Sequence, residues 1–269
     1  MTVVSVVCYK GGVGKSTVAV HLAEAARREG RRVLLIDLEP QASATEQIAR
    51  RVDIDFDASD VLLRPDRADR ALVTARPTTS GDEESSESEG HLDLLPASEG
   101  LLGTNAQLSA TGDREALRKF LSEGIDPDRY DLVVVDTAGT PNALSICTLQ
   151  AADLVVAPFT LESSSFKGLN RLNDVLDRLE SAPQRLILPM KYHAARQQSK
   201  DALNALKRGY GDYPEGVVLS PVRINQGFPR AYEQGETIFD LTGSHRARKR
   251  GAEDYNALLN AVKEITSHV

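Results

Sequence analysis

The sequence predicts an α/β fold in which a mostly parallel, doubly wound sheet is flanked by helices. Short apolar runs rich in Val, Leu and Ile occur at Thr2–Cys8, Arg32–Asp37 and Leu132–Asp136, which is typical of strands buried on both faces. Between the first two runs, Thr17–Glu29 has apolar residues at helical spacing and is followed by Gly30, a helix stop signal. A strand, a helix and a strand in this order make parallel pairing the default.

The remaining elements are predicted in chain order from the same two signals, which are helical spacing of apolar residues and short apolar runs. Helices are expected at Thr45–Arg50, Ala58–Leu63, Asp113–Ser122, Phe166–Leu179, Ser199–Arg208 and Ala252–Ser267. Further strands are expected at 70–76, 91–95, Leu154–Ala157 and Leu186–Leu188. The acidic stretch at 78–90 is too rich in Gly, Ser, Asp and Glu to build a core, so it is predicted to be a disordered surface loop. Because no other segment reads as a linker, residues 1–269 are predicted to form one domain.

Composition narrows the class of protein. The chain has 269 residues, of which 41% are hydrophobic and 26% charged, as in globular proteins with a sizeable core. Its formal net charge of −7 excludes a uniformly basic nucleic-acid coat but leaves room for a local basic face. Two cysteines, Cys8 and Cys147, provide neither a disulfide framework nor a metal cluster. No apolar run approaches the ~20 residues of a membrane span, so we expect a cytoplasmic protein without membrane attachment.

Residues 10–17, Lys-Gly-Gly-Val-Gly-Lys-Ser-Thr, form a glycine-rich loop between the first strand and the first helix. Its three glycines (Gly11, Gly12 and Gly14) let the backbone curl so that N–H groups point at phosphate oxygens, and the helix N-terminus adds partial positive charge. Lys15 can bridge the β- and γ-phosphates of ATP, and the Ser16 hydroxyl can ligate Mg²⁺. We therefore expect ATP and Mg²⁺ as cofactors.

Two acids follow buried strands downstream of the glycine-rich loop. Asp37 and Asp136 each end an apolar run, and both are suited to hold the Mg²⁺ shell through water. With Ser16 they form the predicted metal site. The predicted ATP contacts within the subunit are Gly11, Gly12, Val13, Gly14, Lys15, Ser16, Thr17, Met190, Pro221 and Val222, the last three by position in the chain alone.

The loop at 10–17 strongly resembles the deviant Walker A motif of the ParA/MinD family of P-loop NTPases. Lys10 carries that resemblance, because ordinary phosphate loops do not require a lysine there. In the family this lysine crosses a dimer interface and contacts the phosphates of the partner's ATP. The resemblance therefore implies an ATP sandwich homodimer in which Lys10 assists catalysis.

Further segments resemble the family over nearly the whole chain. Residues 37–45 look like switch I, written D-x-D-P-Q-x-N/S-x-T, and residues 136–139, Asp-Thr-Ala-Gly, look like Walker B and switch II. Glu39 stands where the family generally has an aspartate that activates or positions the attacking water. Its carboxylate lies one methylene further out, and a shift near 1 Å can cost roughly a hundredfold in rate. The implied catalytic residues are Lys10, Lys15 and Glu39, with slow basal hydrolysis.

Within the family, the chain is similar to small ParA-type partition ATPases. The resemblance implies ATP-dependent, nonspecific DNA binding over the nucleoid, released when a ParB-like partner stimulates hydrolysis. Phosphate contact needs a basic surface, and the candidates are Arg223, Arg230, Arg246, Arg248, Lys249 and Arg250. A solvated charge run is the alternative for any one of them. The chain starts at its first strand and ends without a basic amphipathic extension, so neither an operator-binding domain nor a membrane helix is expected.

Two other functions stay open. One is a positioning ATPase for a cargo other than DNA, because the cargo depends on a partner that this sequence does not specify. The other is an ATP-gated regulatory switch with negligible hydrolysis, which Glu39 leaves possible.

Overall fold

A computed structural model describes residues 1–50, 52–75, 90–210 and 216–267. Apart from Gly90, the acidic stretch at 78–90 lies outside these residues. The strands are β1 Thr2–Val6, β2 Arg32–Leu38, β3 Val73–Thr74, β4 His91–Leu95, β5 Leu132–Thr137, β6 Leu154–Thr160, β7 Gln184–Met190 and β8 Gly216–Val218. The helices are α1 Lys15–Arg28, α2 Ser43–Ile48, α3 Ala58–Val61, α4 Leu101–Thr111, α5 Ala116–Glu123, α6 Ala143–Ala151, α7 Ser163–Leu176, α8 Gln197–Tyr210, α9 Gly227–Gln234 and α10 His245–Thr266.

The predicted doubly wound α/β fold is confirmed. Within the described ranges, one eight-stranded sheet has the order β3-β4-β2-β5-β1-β6-β7-β8. Every pairing in it is parallel except β3 with β4, which is antiparallel. The central strands are buried on both faces, as their continuous apolar runs predict: all six residues of β5 are buried.

Helices cover both faces of the sheet, and the alternation of side chains along each strand sorts the core accordingly. On one face, Val33 and Leu35 of β2 pack in a cluster with α1 and α10, including Leu22 and Leu258. On the other face, residues such as Leu34 and Ile36 pack with α3 to α6. Strands β6 and β7 pack against α7 and α8. The carboxyl ends of the central strands therefore meet at one edge, between the two helix layers.

Several element boundaries differ from the sequence-based prediction. β1 ends at Val6 rather than Cys8, because the chain leaves the sheet to enter the glycine-rich loop. The predicted strand at 70–76 shortens to Val73–Thr74, preceded by a 3₁₀ turn at Pro65–Arg70. The last helix begins at His245 rather than Ala252, so its first turns are formed by basic residues that show no apolar periodicity.

Among the α-helices and strands of the described residues, α4, α6, α9 and β8 were not predicted. The first two lack the charged face that marks an amphipathic helix, since neither α4 nor α6 contains a charged residue. β8 has only three residues, which is too short for a period-2 signal.

Candidate functional site

The glycine-rich loop has the backbone geometry of an anion cradle. Gly12 (φ +71°) and Gly14 (φ +98°) lie in the left-handed region that favours glycine. No side chain caps the N-terminus of α1, which follows Gly14, so its first N–H groups remain available to a ligand. A Cβ on Gly139 would lie 3.3 Å from Lys15 Nζ and 3.4 Å from the Gly11 nitrogen, so switch II presses directly on the loop.

An open cleft of about 540 Å³ lies over this cradle. Its walls are the loop itself, Glu39 and Gln41 of switch I, and Gly139 of switch II, with Tyr232 of α9 also lining it. Lys15 is only 8% exposed and lines the cleft. The sequence-predicted loop, switch I and switch II residues are therefore brought together around one space of a size suited to a nucleotide.

The two strand-end acids lie side by side. Asp37 of β2 and Asp136 of β5 are opposite each other in the parallel register, and both are fully buried. Asp37 is well satisfied: its Oδ1 accepts the Glu39 N–H (3.0 Å), while its Oδ2 accepts the N–H and the hydroxyl of Thr45 (2.9 and 2.8 Å). Asp136 accepts the Thr137 N–H at Oδ1 (3.0 Å), and its buried Oδ2 has no hydrogen-bond partner among the described residues.

Burial raises the pKa of both carboxyls. For Asp136 the charge of Asp37 raises the pKa further, while the Ser16 hydroxyl and the Lys15 ammonium oppose the rise. For Asp37 the donors from Thr45 and Glu39 oppose the effect of burial. Two neighbouring buried acids with one unsatisfied oxygen are costly without a counter-charge. The oxygen donors of Asp136 and Ser16 match those that Mg²⁺ prefers, so the residues present fit a magnesium ion.

Lys10 points away from its own cleft. Its Nζ donates to Ser165 Oγ (2.8 Å) and to Thr160 Oγ1 (3.4 Å), and forms an ion pair with Glu162 (3.1 Å). These acceptors lie at the turn from β6 into α7. Helix α7 is held close, because a Cβ on Gly168 would lie 3.2 Å from Lys10 Cβ. The two lysines of the loop are thus separated: Lys15 faces the chain's own cleft and Lys10 faces outward beside it.

Hydrogen bonds of Asp37 and Thr45 hold the two ends of switch I. The Thr45 hydroxyl donates to Asp37 and accepts the N–H of Ala97 (2.9 Å), which ties switch I to the loop after β4. Ala42 takes a left-handed conformation (φ +53°) that turns the chain into α2. Glu39 is half-buried on the cleft wall. The carboxylate predicted to position water therefore faces the space where phosphates would lie, and its catalytic role remains a prediction.

The three residues predicted by position to contact adenine lie beside the loop. Met190 is buried, and a Cβ on Gly14 would lie 3.2 Å from its Cε. Val222 is also buried, with its N–H donating to the Pro189 carbonyl (2.8 Å), and Pro221 is half-buried. Met190 thus packs against the phosphate loop, and a contact of these residues with adenine remains a prediction.

Tyr232 and Lys191 are among the residues of this region that sequence reasoning missed. Tyr232 lines the cleft and donates its hydroxyl to Glu46 of α2, which links α9 to the switch I helix. The ammonium of Lys191 donates to the Gly12 carbonyl at 3.1 Å. Neither residue lies in a recognisable motif; only the proximity of Lys191 to Met190 in the chain gave a signal.

The candidate DNA contacts divide into two groups. Arg246, Arg248 and Lys249 are exposed in the first turns of α10, with half-buried Arg250 after them and exposed Arg230 on α9. We call these five residues the α10 basic face. Arg223 differs, because its guanidinium forms ion pairs with Glu253 (2.9 Å) and Asp254 (2.7 Å) of α10.

The described part of the chain contains no helix with the length and apolar character needed to span a bilayer.

Comparison with known proteins places the chain in a family. A family model described as an AAA domain matches residues 1–187. The chromosome-partitioning ATPase Soj of Thermus thermophilus is 30% identical over 260 residues, covering 94% of this chain and 92% of that protein. The sporulation initiation inhibitor protein Soj of Bacillus subtilis is 31% identical over 171 residues, covering 63% of this chain. The match spans 62% of that protein's length.

Solved structures agree with the fold. A Cyanothece McdA variant in complex with ATP has a TM-score of 0.77 at 20% identity, over 96% of each chain, a likeness that shows the fold alone. Cobyrinic acid a,c-diamide synthase from Mycobacterium smegmatis, solved with ADP and magnesium, has a TM-score of 0.75 at 26% identity, over 100% of this chain and 97% of that one. With its phosphate loop, paired acids and these likenesses, the chain belongs to the ParA/MinD family of P-loop ATPases.

Proposed function

We propose that this chain is a ParA-type partition ATPase. In this proposal it forms an ATP-dependent sandwich dimer, binds DNA without sequence preference, and is released when a partner stimulates hydrolysis. The observation that carries the proposal is the outward-facing Lys10 beside a complete phosphate loop. Relatives named for chromosome partitioning support it, among them Soj of Thermus thermophilus and ParA of Caulobacter vibrioides, the latter 27% identical over 236 residues. Residues 1–269 would act as one ATPase domain.

ATP and Mg²⁺ are the proposed cofactors. The loop N–H groups and Lys15 would hold the phosphates, while Ser16 and Asp136 would hold the metal, with Asp37 shaping switch I around it. The unsatisfied Asp136 Oδ2 and the ADP and magnesium in the solved Mycobacterium smegmatis protein support this. The metal would supply positive charge to the oxygens of the β- and γ-phosphates.

In this proposal Glu39 is the residue that positions water for ATP hydrolysis. Its half-buried carboxylate on the cleft wall would position the attacking water, and Lys15 would stabilise charge on the phosphates. The longer side chain reaches the water in a less fixed geometry than aspartate, so basal turnover would be slow. A partner that rigidifies switch I would then accelerate the reaction.

Lys10 has the geometry of a residue that acts on a second copy. Its ammonium is held by the exposed Glu162 and the buried Ser165, 24% of its side chain is exposed, and it does not line its own cleft. A second positive charge reaching a bound triphosphate would offset charge that Lys15 alone does not cover. In the proposed dimer each subunit supplies that charge to the other, so dimerisation depends on the γ-phosphate.

The α10 basic face is the proposed DNA contact. Cations in the first turns of a helix oppose the helix dipole, at a cost of about 0.3–1 kcal/mol each when exposed. The first turn of α10 contains no acid to offset them. An unfavourable placement of this kind is explained if the charges meet phosphates, which both the arginines and the helix N-terminus attract. Such contacts position a protein on DNA without reading its bases.

A ParB-like or adaptor protein would stimulate hydrolysis, and the ATP-bound form would reside on the nucleoid. A positioning ATPase for another cargo is the second candidate, favoured by likeness to the cell division protein PomZ of Myxococcus xanthus, 26% identical over 261 residues. An ATP-gated switch with negligible hydrolysis is the third, favoured by Glu39 in place of aspartate. A centromere-binding partner would select the first candidate.

DNA binding tests the proposal. We would replace Arg246, Arg248 and Lys249 together with alanine and measure binding to random duplex DNA by fluorescence anisotropy, with ATP, with ADP and without nucleotide. The matched control removes equal charge from α8, at Lys200, Lys207 and Arg208. We expect ATP-dependent binding by the unmodified chain and the α8 variant, and its loss in the α10 variant. If the unmodified chain ignores DNA with ATP at every salt concentration, a protein-partner switch replaces the proposal.

A further inference from the structure

Lys191, directly after β7, adopts a backbone conformation that lysine rarely takes. Its φ of +55° lies in the left-handed region, where only one other non-glycine residue, Ala42, lies within the described ranges. Such conformations persist only where the surrounding structure holds them, and they cluster at functional sites. Ala42 turns the chain from switch I into α2, and Lys191 lies beside the phosphate loop.

The neighbours of Lys191 fix its position. On one side the buried Met190 packs against Gly14 of the phosphate loop. On the other side the Tyr192 N–H donates to the Val222 carbonyl, and the Tyr192 carbonyl accepts the Ile224 N–H, both at 3.0 Å. The left-handed turn is therefore clamped between the phosphate loop and the segment after β8. Its conformation aims the lysine side chain at the phosphate loop.

The contact is made with a particular carbonyl. Lys191 Nζ donates to the Gly12 carbonyl oxygen at 3.1 Å. That carbonyl belongs to the peptide that joins Gly12, which lines the cleft, to the buried Val13, which carries the peptide's N–H. An ammonium on the oxygen of a peptide polarises it and strengthens its N–H as a donor, because hydrogen bonds in a chain reinforce one another. The positive charge also lies one peptide away from the space for phosphates.

We propose that Lys191 is a positioning residue for the phosphates of the nucleotide, acting through the Gly12–Val13 peptide. This rests on the proposed function as an ATP-binding enzyme. It adds a third lysine to the loop's own Lys10 and Lys15, contributed by the end of β7, which is separated from β1 in the sheet by β6 alone. The contact makes the cradle more attractive to anions without occupying any of it.

Nucleotide affinity with a matched set of variants tests the proposal. Lys191→Met removes the charge and the donor while keeping the length of the side chain, and Lys191→Arg keeps both. Lys207→Met removes one exposed lysine of α8 and serves as the control for net charge. Binding of ADP with Mg²⁺ is measured by calorimetry, inorganic pyrophosphate is measured by competition with ADP, and apo melting temperatures verify folding.

We expect Lys191→Met to weaken ADP and pyrophosphate by the same factor, roughly three- to tenfold, as for a charge-assisted hydrogen bond near the surface. Lys191→Arg and Lys207→Met should stay within about twofold of the unmodified chain. Equal ADP affinity in Lys191→Met would overturn the proposal, and so would a loss for ADP with none for pyrophosphate. If the unmodified chain binds neither probe, the proposed ATPase function fails instead.

Discussion

The nucleotide cleft and the α10 basic face use charge in opposite ways. In the cleft, Asp37, Asp136 and Lys15 are buried, and the two acids lie opposite each other on neighbouring central strands. On α10, Arg246, Arg248 and Lys249 are exposed and oppose the dipole of their own helix. Buried charges interact strongly and escape screening by salt, whereas exposed charges interact weakly and are screened. Single substitutions should therefore be severe in the cleft and mild on α10.

The largest effect is expected for Asp136→Asn. Without the carboxylate, ATP hydrolysis should fall by roughly 10- to 100-fold, as when a group around a bound metal is removed. The nucleotide-free protein should meanwhile become more stable, by about 1 kcal/mol or more, because a neutral amide replaces a carboxyl whose pKa is raised by burial and by the charge of Asp37. Turnover assays and thermal melting without nucleotide measure the two changes.

A matched control for Asp136 lies just before the same strand. The side chain of Asp131 is 40% exposed, and the Arg32 guanidinium (2.6 Å) lowers the pKa of its carboxyl. Asp131→Asn should leave hydrolysis unchanged and lower stability by less than about 1 kcal/mol. A drop in stability for Asp136→Asn would contradict the view that this carboxylate is costly in the empty cleft.

The second-largest effect is expected for His21, which lies on α1, the helix after the phosphate loop, and contacts α10. Its ring lies on α1, stacks on Tyr255 of α10 (4.9 Å between centroids) and is fully buried. Its Nδ1–H donates to the Thr17 carbonyl (2.7 Å), and its Nε2 accepts the Ile238 N–H (2.9 Å), so the neutral ring is fully satisfied. Burial lowers the pKa of His21 to about 4.

Stability should consequently fall in acid. In the unfolded chain His21 takes up a proton near pH ~6.5, but in the folded chain its pKa is about 4. Its contribution is fully present above about pH 6.5 and is lost as the pH falls towards 4, with about 2 kcal/mol gone at about pH 5. His21→Asn should reduce the difference between denaturant unfolding at neutral pH and in mild acid, whereas exposed His245→Asn should not. An unchanged pH dependence in His21→Asn would exclude this residue as its source.

A third prediction separates the two groups of arginines. Arg223→Ala leaves Asp254, whose side chain is 8% exposed, without its ion-pair partner. We expect a loss of about 1–3 kcal/mol in the free energy of unfolding. Exposed Arg230→Ala should change stability by less than about 0.5 kcal/mol. Denaturant unfolding of both variants measures these losses. Equal stability of the two variants would show that Arg223, like the α10 basic face, contributes little to folding.

The smallest effect is expected for one exposed cation alone. Arg248→Ala should weaken ATP-dependent DNA binding only a few-fold and reduce the slope of log affinity against log salt by roughly 1, the change that removing a single cation from a DNA phosphate produces. Titrations at several salt concentrations measure that slope. An unchanged slope would show that Arg248 meets no phosphate.

Local chemistry explains which parts were predictable. The cradle follows from Gly12 and Gly14, whose positive φ angles are a property of the loop itself. Asp37 and Asp136 could be found from sequence because each ends a buried apolar strand downstream of the loop, and the parallel register places them opposite each other. The helix at His245–Thr266 could not be bounded, because its basic first turns show no apolar periodicity.

Contacts between segments distant in the chain explain why other residues of the site could not be predicted. Tyr232 lines the cleft from α9, and Lys191 contacts the phosphate loop from the end of β7, so only the folded chain shows these contacts. The ion pairs of Arg223 likewise depend on how α10 packs, and charge alone placed it with the exposed arginines. Sequence thus identified the residues of local motifs, and missed those that reach this region from segments distant in the chain.

The most direct test is the oligomeric state of the unmodified chain and of Lys10→Ala with a non-hydrolysable ATP analogue and Mg²⁺, by light scattering after size exclusion. Calorimetry on the same samples verifies nucleotide binding. The unmodified chain should dimerise with the triphosphate and stay monomeric with ADP, while Lys10→Ala should bind the analogue through Lys15 yet stay monomeric. Lys207→Ala, the control, should dimerise. Full dimerisation of Lys10→Ala, or a monomeric unmodified chain, would contradict the proposed sandwich dimer.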